Sequence, residues 1–164
     1  MAQLDKVRIR YGRYNMSIRE KLKSNLLGLD KRQLKLFYGI IVHYWVRYKF
    51  FISKRNFYNL WCELNYRCHE VDESFPEPYD DYDLLKSFCQ THPYYFIDIL
   101  SPTVVTGLFC EYFDDKLDIL AMIAHKLTTE GLGATYEYSN KALGLNESVG
   151  DLVNESEEFL KVYS

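Results

Sequence analysis

Histidine and cysteine are the side chains in this sequence best suited to metal binding and catalysis. There are four of each, and five of the eight fall between residues 62 and 92. Cys89 and His92 have a Cys-x-x-His spacing compatible with zinc, but no paired Cys-x-x-Cys is present to complete such a site. We predict no metal ion and no other cofactor. Whether the five residues come together is left open: Cys62, Cys68, His69, Cys89 and His92.

The same side chains are candidates for catalysis. No His belongs to a His-Glu-x-x-His helix, no Gly-x-Ser-x-Gly turn is present, and Gly131-Leu132-Gly133 lacks the lysine of a phosphate-binding loop. We therefore predict no enzyme and no catalytic residue. The alternative is an enzyme whose His and carboxylate, or Cys and His, meet only in the folded chain, because catalytic partners need only spatial proximity.

An acidic run with interleaved aromatic residues is the strongest candidate for a binding site. Residues 70–83 contain seven carboxylates and no Lys or Arg. Such a run is often only a solvated loop, here around Pro76 and Pro78. Carboxylates beside tyrosines also suit a basic protein partner, since charge steers the encounter and Tyr contributes contact area. The predicted contacts are Asp72, Glu73, Glu77, Tyr79, Asp80, Asp81, Tyr82 and Asp83.

The charge is distributed very unevenly along the chain. Residues 1–69 carry fifteen Lys or Arg and four Asp or Glu, whereas residues 70–164 carry five and nineteen. Either the two parts fold against each other, or each presents its charge to a different partner. A second acidic group lies near the C-terminus, with Glu147, Asp151, Glu155, Glu157 and Glu158. The basic part, with Tyr11 and Tyr14, supports a nucleic-acid-binding alternative, although the pI of about 5.8 argues against it.

Helical patterns account for nearly the whole chain. Ser17 with Glu20 and Asp30 with Gln33 are typical of capping boxes, which predicts helices over residues 17–27 and 31–52. The second is apolar on almost every face and rich in aromatic residues, so we expect it at the centre. Ser53 and Ser101-Pro102 are further helix starts, and Asp114 or Asp115 is expected to cap another. We find no convincing strand pair.

These patterns predict an all-α protein: one irregular, orthogonal bundle of about seven or eight helices around helix 31–52, as a single domain over residues 1–164. The longest apolar stretch, residues 36–46, is too short to span a bilayer, which needs about 20 residues. Scattered Cys residues and the absence of an apolar N-terminal run favour a cytoplasmic protein that does not bind membranes. The oligomeric state stays open.

These observations together favour a non-catalytic binding protein. Its partner is expected to be a basic protein, bound through residues 72–83. The most specific form of the hypothesis is an immunity or antitoxin-type inhibitor that covers the active site of a cationic toxin such as a nuclease, because carboxylates can occupy a site built for phosphates.

Overall fold

The computed structural model describes residues 8–11, 14–78 and 81–163. In these residues a short β-hairpin precedes nine helices, and the predicted all-α class is confirmed. The strands are β1 (Arg8–Tyr11) and β2 (Tyr14–Ser17). The helices are α1 (Ile18–Leu27), α2 (Lys31–Tyr48), α3 (Lys54–Val71), α4 (Tyr82–Thr91), α5 (Tyr95–Ile99), α6 (Pro102–Tyr112), α7 (Leu117–Thr129), α8 (Leu132–Leu143) and α9 (Val149–Tyr163).

The hairpin corrects the expectation that no strands pair. Its strands are antiparallel, with Arg8 opposite Ser17 and Tyr11 opposite Tyr14. Ile and Tyr favour extended structure, so the signal was present in the sequence, but two four-residue strands are too short to stand out. The hairpin leads directly into α1 and leaves the helical architecture unchanged.

Local capping explains where several helices begin. Both predicted capping boxes are present: the Glu20 N–H donates to Ser17 Oγ over 3.1 Å, and the Gln33 N–H donates to Asp30 Oδ1 over 2.8 Å. Ser53 and Ser101 cap α3 and α6, with Pro102 at the first helical position. These side chains accept hydrogen bonds from N–H groups that have no partner within the helix.

Helix α2 ends four residues earlier than predicted. It stops at Tyr48, because Lys49 and Phe51 both have positive φ angles, of 60° and 80°. This turn places Phe51 and Ile52 in the core, and the Trp45 indole N–H donates to the Ile52 carbonyl over 2.8 Å. Burial of two large apolar side chains is favourable enough to override the helical pattern.

The prediction that Asp114 or Asp115 caps α7 is wrong. Asp114 Oδ1 instead accepts the Ser53 N–H over 2.9 Å, and Asp115 Oδ2 accepts the Phe51 N–H over 3.3 Å. Both carboxylates therefore hold the α2–α3 link, and α7 follows Lys116 with no side-chain cap. Helix α8 begins at Leu132, directly after Gly131, whose φ is 96°.

Nearly all buried apolar side chains of the described residues form one contiguous cluster, which includes residues from Ile18 to Leu160. Helix α2 contributes six buried residues and contacts α5, α7 and α9. Helix α1 from the basic part packs on α6 and α7 from the acidic part. Arg19 donates hydrogen bonds to the carbonyls of Cys110 and Phe113, at the end of α6, where a cation is favourable. The two oppositely charged parts therefore fold against each other.

Candidate protein-binding surfaces

Asp72–Asp83, which we call the acidic connection, comprises the link from α3 to α4 and the first two residues of α4. Two apolar residues hold it to the core. Phe75 lies against Phe88 and Tyr95, with ring-centroid distances of 5.1 and 5.5 Å, and Pro78 is buried. Because these side chains face inward, the carboxylates on either side of them are left at the surface.

Hydrogen bonds order both ends of the acidic connection. Asp72 Oδ1 accepts from the Ser74 hydroxyl over 2.8 Å and from the Ser74 N–H over 3.0 Å. The hydroxyl and then the N–H of Ser74 lower the pKa of Asp72 below its ordinary value, because both stabilise the carboxylate. At the other end Asp81 Oδ1 accepts the Leu84 N–H over 2.9 Å and caps α4.

His69 joins α3 to the middle of the acidic connection. Its Nδ1 lies 2.5 Å from the Phe75 carbonyl oxygen, and its Nε2 lies 3.0 Å from Glu77 Oε1. A carbonyl and a carboxylate only accept hydrogen bonds. The ring can therefore donate to both of them at once only when both of its nitrogens carry a proton. Glu77 is thus held by a neighbouring ring rather than being free for a partner.

The predicted contact residues divide into three groups. Asp72, Glu73, Asp81, Tyr82 and Asp83 are exposed. Glu77 is partly exposed and is paired with His69. Tyr79 and Asp80 lie outside the described residues. Within the described chain, no Lys or Arg forms an ion pair with the carboxylates of the acidic connection. Among the described residues, the exposed carboxylates of the acidic connection therefore keep their negative charge without a Lys or Arg ion pair.

Tyr82 provides aromatic area beside these carboxylates. Its side chain is 51% exposed and meets Trp61 edge to face, with 6.0 Å between the ring centroids. Leu84, in the first turn of α4, is 55% exposed. Large apolar side chains that are held on one side and open on the other suit contact with another protein.

A groove between α2 and α9, which sequence reasoning missed, has a volume of about 310 Å³. Its apolar lining includes Tyr38, Val42, Tyr94 and Phe159. Gly39 also lines it, in the middle of α2. The glycine inside a helix is the sequence feature that could have pointed to this groove. A helical glycine lowers helix stability by about 1 kcal/mol relative to alanine, so it usually has a packing or functional reason.

Polar side chains lie at one end of this groove. His43 Nε2 lies 3.1 and 3.2 Å from the two carboxylate oxygens of Glu147, and its Nδ1 lies 2.9 Å from Arg47 Nη1. A guanidinium can only donate, so Nδ1 is the acceptor and the Nε2–H donates to Glu147. Both nitrogens of the ring are therefore occupied in this arrangement.

Tyr136 of α8 lines the groove and contacts α9. Its hydroxyl lies 2.6 Å from Ser156 Oγ. Burial raises the pKa of Tyr136 to about 12, against the opposing effect of the Ser156 hydrogen bond, and the charges of Glu155 and Glu147 raise it further. At neutral pH the phenol is protonated and serves as a fixed hydrogen-bonding group in the wall of the groove.

A buried polar cluster lies behind the acidic connection. The Cys89 thiol donates to the Tyr95 hydroxyl over 3.5 Å and to Asn65 Oδ1 over 3.7 Å, and the Tyr95 hydroxyl also donates to Asn65. Burial raises the pKa of Cys89, and burial together with Cys89 raises the pKa of Cys68 to about 12. Both thiols are protonated at neutral pH, which makes them poor nucleophiles and poor metal ligands.

The five His and Cys residues with potential for metal binding lie in different surroundings. Cys68 and Cys62 are buried on α3, Cys89 is partly buried in the polar cluster just described, and His69 faces Phe75 and Glu77. The ring of His92 stacks on Phe88, with 4.4 Å between centroids. In the part of the chain that the structure describes, no three His, Cys, Asp or Glu side chains are grouped to hold a metal ion.

Comparisons with known proteins return no relative: no family model matches the chain, and neither a curated protein nor a solved structure does. Across residues 8–11, 14–78 and 81–163, no helix has both the length and the apolar character needed to cross a membrane.

Proposed function

We propose that this protein is a non-catalytic binding protein that captures a basic protein partner through the acidic connection. The observation that carries the proposal is a surface of exposed carboxylates without a Lys or Arg ion pair among the described residues, beside the half-exposed ring of Tyr82. Uncompensated negative charge steers a cationic partner during encounter, and an aromatic side chain adds contact area after docking.

The more specific form of the proposal is an immunity or antitoxin-type inhibitor of a cationic toxin such as a nuclease. A nuclease binds phosphates in a positively charged cleft, and a row of carboxylates on an ordered segment can occupy such a cleft. The described part of the acidic connection supports this because Phe75 packs on the core and Pro78 is buried, which lowers the conformational entropy lost on binding.

The nucleic-acid alternative has weaker support. Several cations of the basic part are engaged within the molecule: Arg19 at the end of α6, Lys35 with Asp98 over 2.9 Å, and Lys49 over the Trp45 ring at 4.4 Å. Contacts of this kind compete with phosphate binding.

The enzyme alternative rests on the His43–Glu147 pair, which lies at a concave surface. A general base needs an unoccupied lone pair within reach of the substrate, and the lone pair of His43 Nδ1 already accepts a hydrogen bond from Arg47. This arrangement supports a binding role for the groove better than a catalytic one.

The test uses a variant, called the neutralised variant, that removes three of the six carboxylates of the acidic connection and keeps the N-cap of α4. In the variant Glu73→Gln, Asp81→Asn, Asp83→Asn, the amide at position 81 keeps an oxygen for the Leu84 N–H, since Asn caps helices as well as Asp. The matched control is Glu111→Gln, Asp118→Asn, Glu137→Gln, which removes the same charge from exposed positions elsewhere. Both variants and the original protein are immobilised, incubated with lysate of the source cells, and the retained proteins are identified.

A basic protein should be retained by the original protein and by the control, and lost from the neutralised variant. With that partner purified, the association rate of the original protein should fall steeply with salt, and neutralisation should lower the rate about tenfold at low salt. If the partner is a nuclease, its activity should be inhibited in the same order. Identical retention by all three proteins would contradict the proposal.

A further inference from the structure

We infer that the α2–α9 groove is a second binding site, which takes an amphipathic basic helix from a protein partner. The lining residues of the groove include none from the described part of the acidic connection, so this site does not depend on the function proposed above. Four features support it: the shape of the groove, its exposed apolar side chains, the distribution of charge along α9 and the glycine in its floor.

The groove extends along α9. A second depression adjoins the first and shares Arg47, Glu155 and Phe159 with it. The second depression continues to Val162 and Tyr163 near the C-terminus of α9. At a rise of about 1.5 Å per residue, the stretch from residue 155 to residue 163 is about 12 Å long. Two turns of a helix, with apolar side chains at positions i, i+4 and i+7, have nearly the same length.

Apolar side chains along this stretch are open to solvent. Phe159 is 42% exposed and Val162 is 64% exposed, whereas Leu152 and Leu160 on the inward face of α9 are buried. Phe159 also contacts Tyr94 and Tyr163, with ring-centroid distances of 5.5 and 4.6 Å. The exposed rings are thus continuous with the apolar lining of the first depression, which gives a partner one connected apolar surface to cover.

The charge beside the groove favours a cationic partner. Glu155 and Glu158 line it and are exposed, and neither forms an ion pair with a described Lys or Arg. Arg47 also lines the groove, and its positive charge would repel a cationic partner. It donates a hydrogen bond to His43, which in turn contacts Glu147. Basic side chains flanking the apolar face of an incoming helix would therefore meet carboxylates.

Glu157, on the other flank of α9, has cations of this chain near it, unlike Glu155 and Glu158. Glu157 lies in a separate depression lined by four cations of this same chain and by one other carboxylate, Asp98: the cations are Lys31, Arg32, Lys35 and Lys161. A cationic partner gains little at this position. Glu157 is therefore a natural control for the contribution of Glu155 and Glu158, because all three residues lie on one helix.

Gly39 is the feature least explained by folding alone. Its φ is not positive, and an added Cβ would meet the Tyr94 hydroxyl at 3.7 Å, an ordinary van der Waals contact. Alanine would therefore fit and would favour the helix by about 1 kcal/mol. A glycine here keeps the floor of the groove free for an incoming side chain.

The test uses a fluorescein-labelled 18-residue peptide with Leu on one helical face and Lys elsewhere. A scrambled peptide of the same composition is the control, and binding is measured by fluorescence anisotropy in about 150 mM salt. We expect the amphipathic peptide to bind at least about tenfold more tightly than the scrambled one. Equal binding of the two peptides, or no binding of the amphipathic one at about 100 µM protein, would overturn the inference.

Variants assign the binding to the groove. Glu155→Lys with Glu158→Lys should weaken it at least tenfold, and Gly39→Leu, which fills the floor, should do the same. Glu157→Lys and Gly107→Leu, a glycine of α6 with open space around it, should change it less than twofold. Circular dichroism checks that each variant is folded. Equal weakening by Glu157→Lys and by the Glu155, Glu158 double variant would show unspecific charge attraction and overturn the inference.

Two further measurements test whether the peptide binds elsewhere and whether a second copy of this chain fills the groove. The neutralised variant, with Glu73→Gln, Asp81→Asn and Asp83→Asn, should bind the peptide as the original protein does. A loss of peptide binding in this variant would show that the peptide binds the acidic connection rather than the groove. Sedimentation compares the original protein alone with its Gly39→Leu variant. We expect that the original protein forms no dimer that is lost in the variant. Such a dimer would mean that a second copy occupies the groove, which would also overturn the inference.

Discussion

The acidic connection and the α2–α9 groove are both rich in carboxylates, but they are built in opposite ways. In the acidic connection Phe75 faces the core, and the described carboxylates lie at the surface beside the half-exposed ring of Tyr82. In the groove the aromatic residue Phe159 faces solvent, and carboxylates stand beside a cavity. The first arrangement favours fast capture by charge, whereas the second supplies the buried apolar area that makes a complex last.

The largest expected effect comes from exchanging Phe75 in the acidic connection and Phe159 in the groove for alanine. Phe75→Ala should lower the free energy of unfolding by about 2–3 kcal/mol, because the ring fills space between Phe88 and Tyr95. Phe159→Ala should cost less than about 1 kcal/mol, because the ring is 42% exposed. Urea unfolding of both variants measures the difference, and equal losses would contradict the contrast between the two regions.

A smaller effect, of opposite sign, is expected at Gly39. Gly39→Ala should raise the free energy of unfolding by about 0.5–1 kcal/mol, and the melting temperature by about 2–4 °C, since alanine fits and favours the helix. Gly107→Ala is the matched change in α6, where an added Cβ would lie in open space. Calorimetry should show gains of similar size at both positions. Destabilisation at Gly39 alone would mean that the glycine is needed for packing.

The smallest effect concerns the local order of the acidic connection. The pKa of Asp72 is lowered by Ser74, so this contact stabilises the fold above the ordinary pKa of an aspartate, and the contribution disappears as the pH falls through the lowered value. NMR titration should find the Asp72 midpoint below that of a free aspartate, about 3.9. Ser74→Ala should raise it towards that value. An unchanged midpoint would show that the turn is not ordered in solution.

Much of the secondary structure could be predicted because the causes are local. A capping serine or aspartate, a proline at the first turn and a glycine after the last one act within a few residues, so the starts of α1, α2, α3 and α6 were correct. The errors came where distant chain segments compete. Asp114 has the right neighbours for a helix cap, yet it serves Ser53, which is remote in sequence.

The candidate sites divide in the same way. Residues of the acidic connection stand together in the sequence, so composition alone was enough to select them. The groove joins residues of α2 to residues of α9, and no local pattern connects Gly39 with Phe159. The helical period places Glu155, Glu157 and Glu158 on the polar side of α9 but does not say which of them neighbours a cation.

By itself, the sequence determined the helical class, most helix starts and the presence of an acidic, aromatic segment between α3 and α4, because each follows from contacts within a few residues. Only the tertiary structure decided that α1 packs on the acidic part, that Glu157 lies among lysines and that Glu155 borders a groove. These outcomes depend on how buried apolar surfaces fit together, and that fit is a property of the whole core rather than of any local segment.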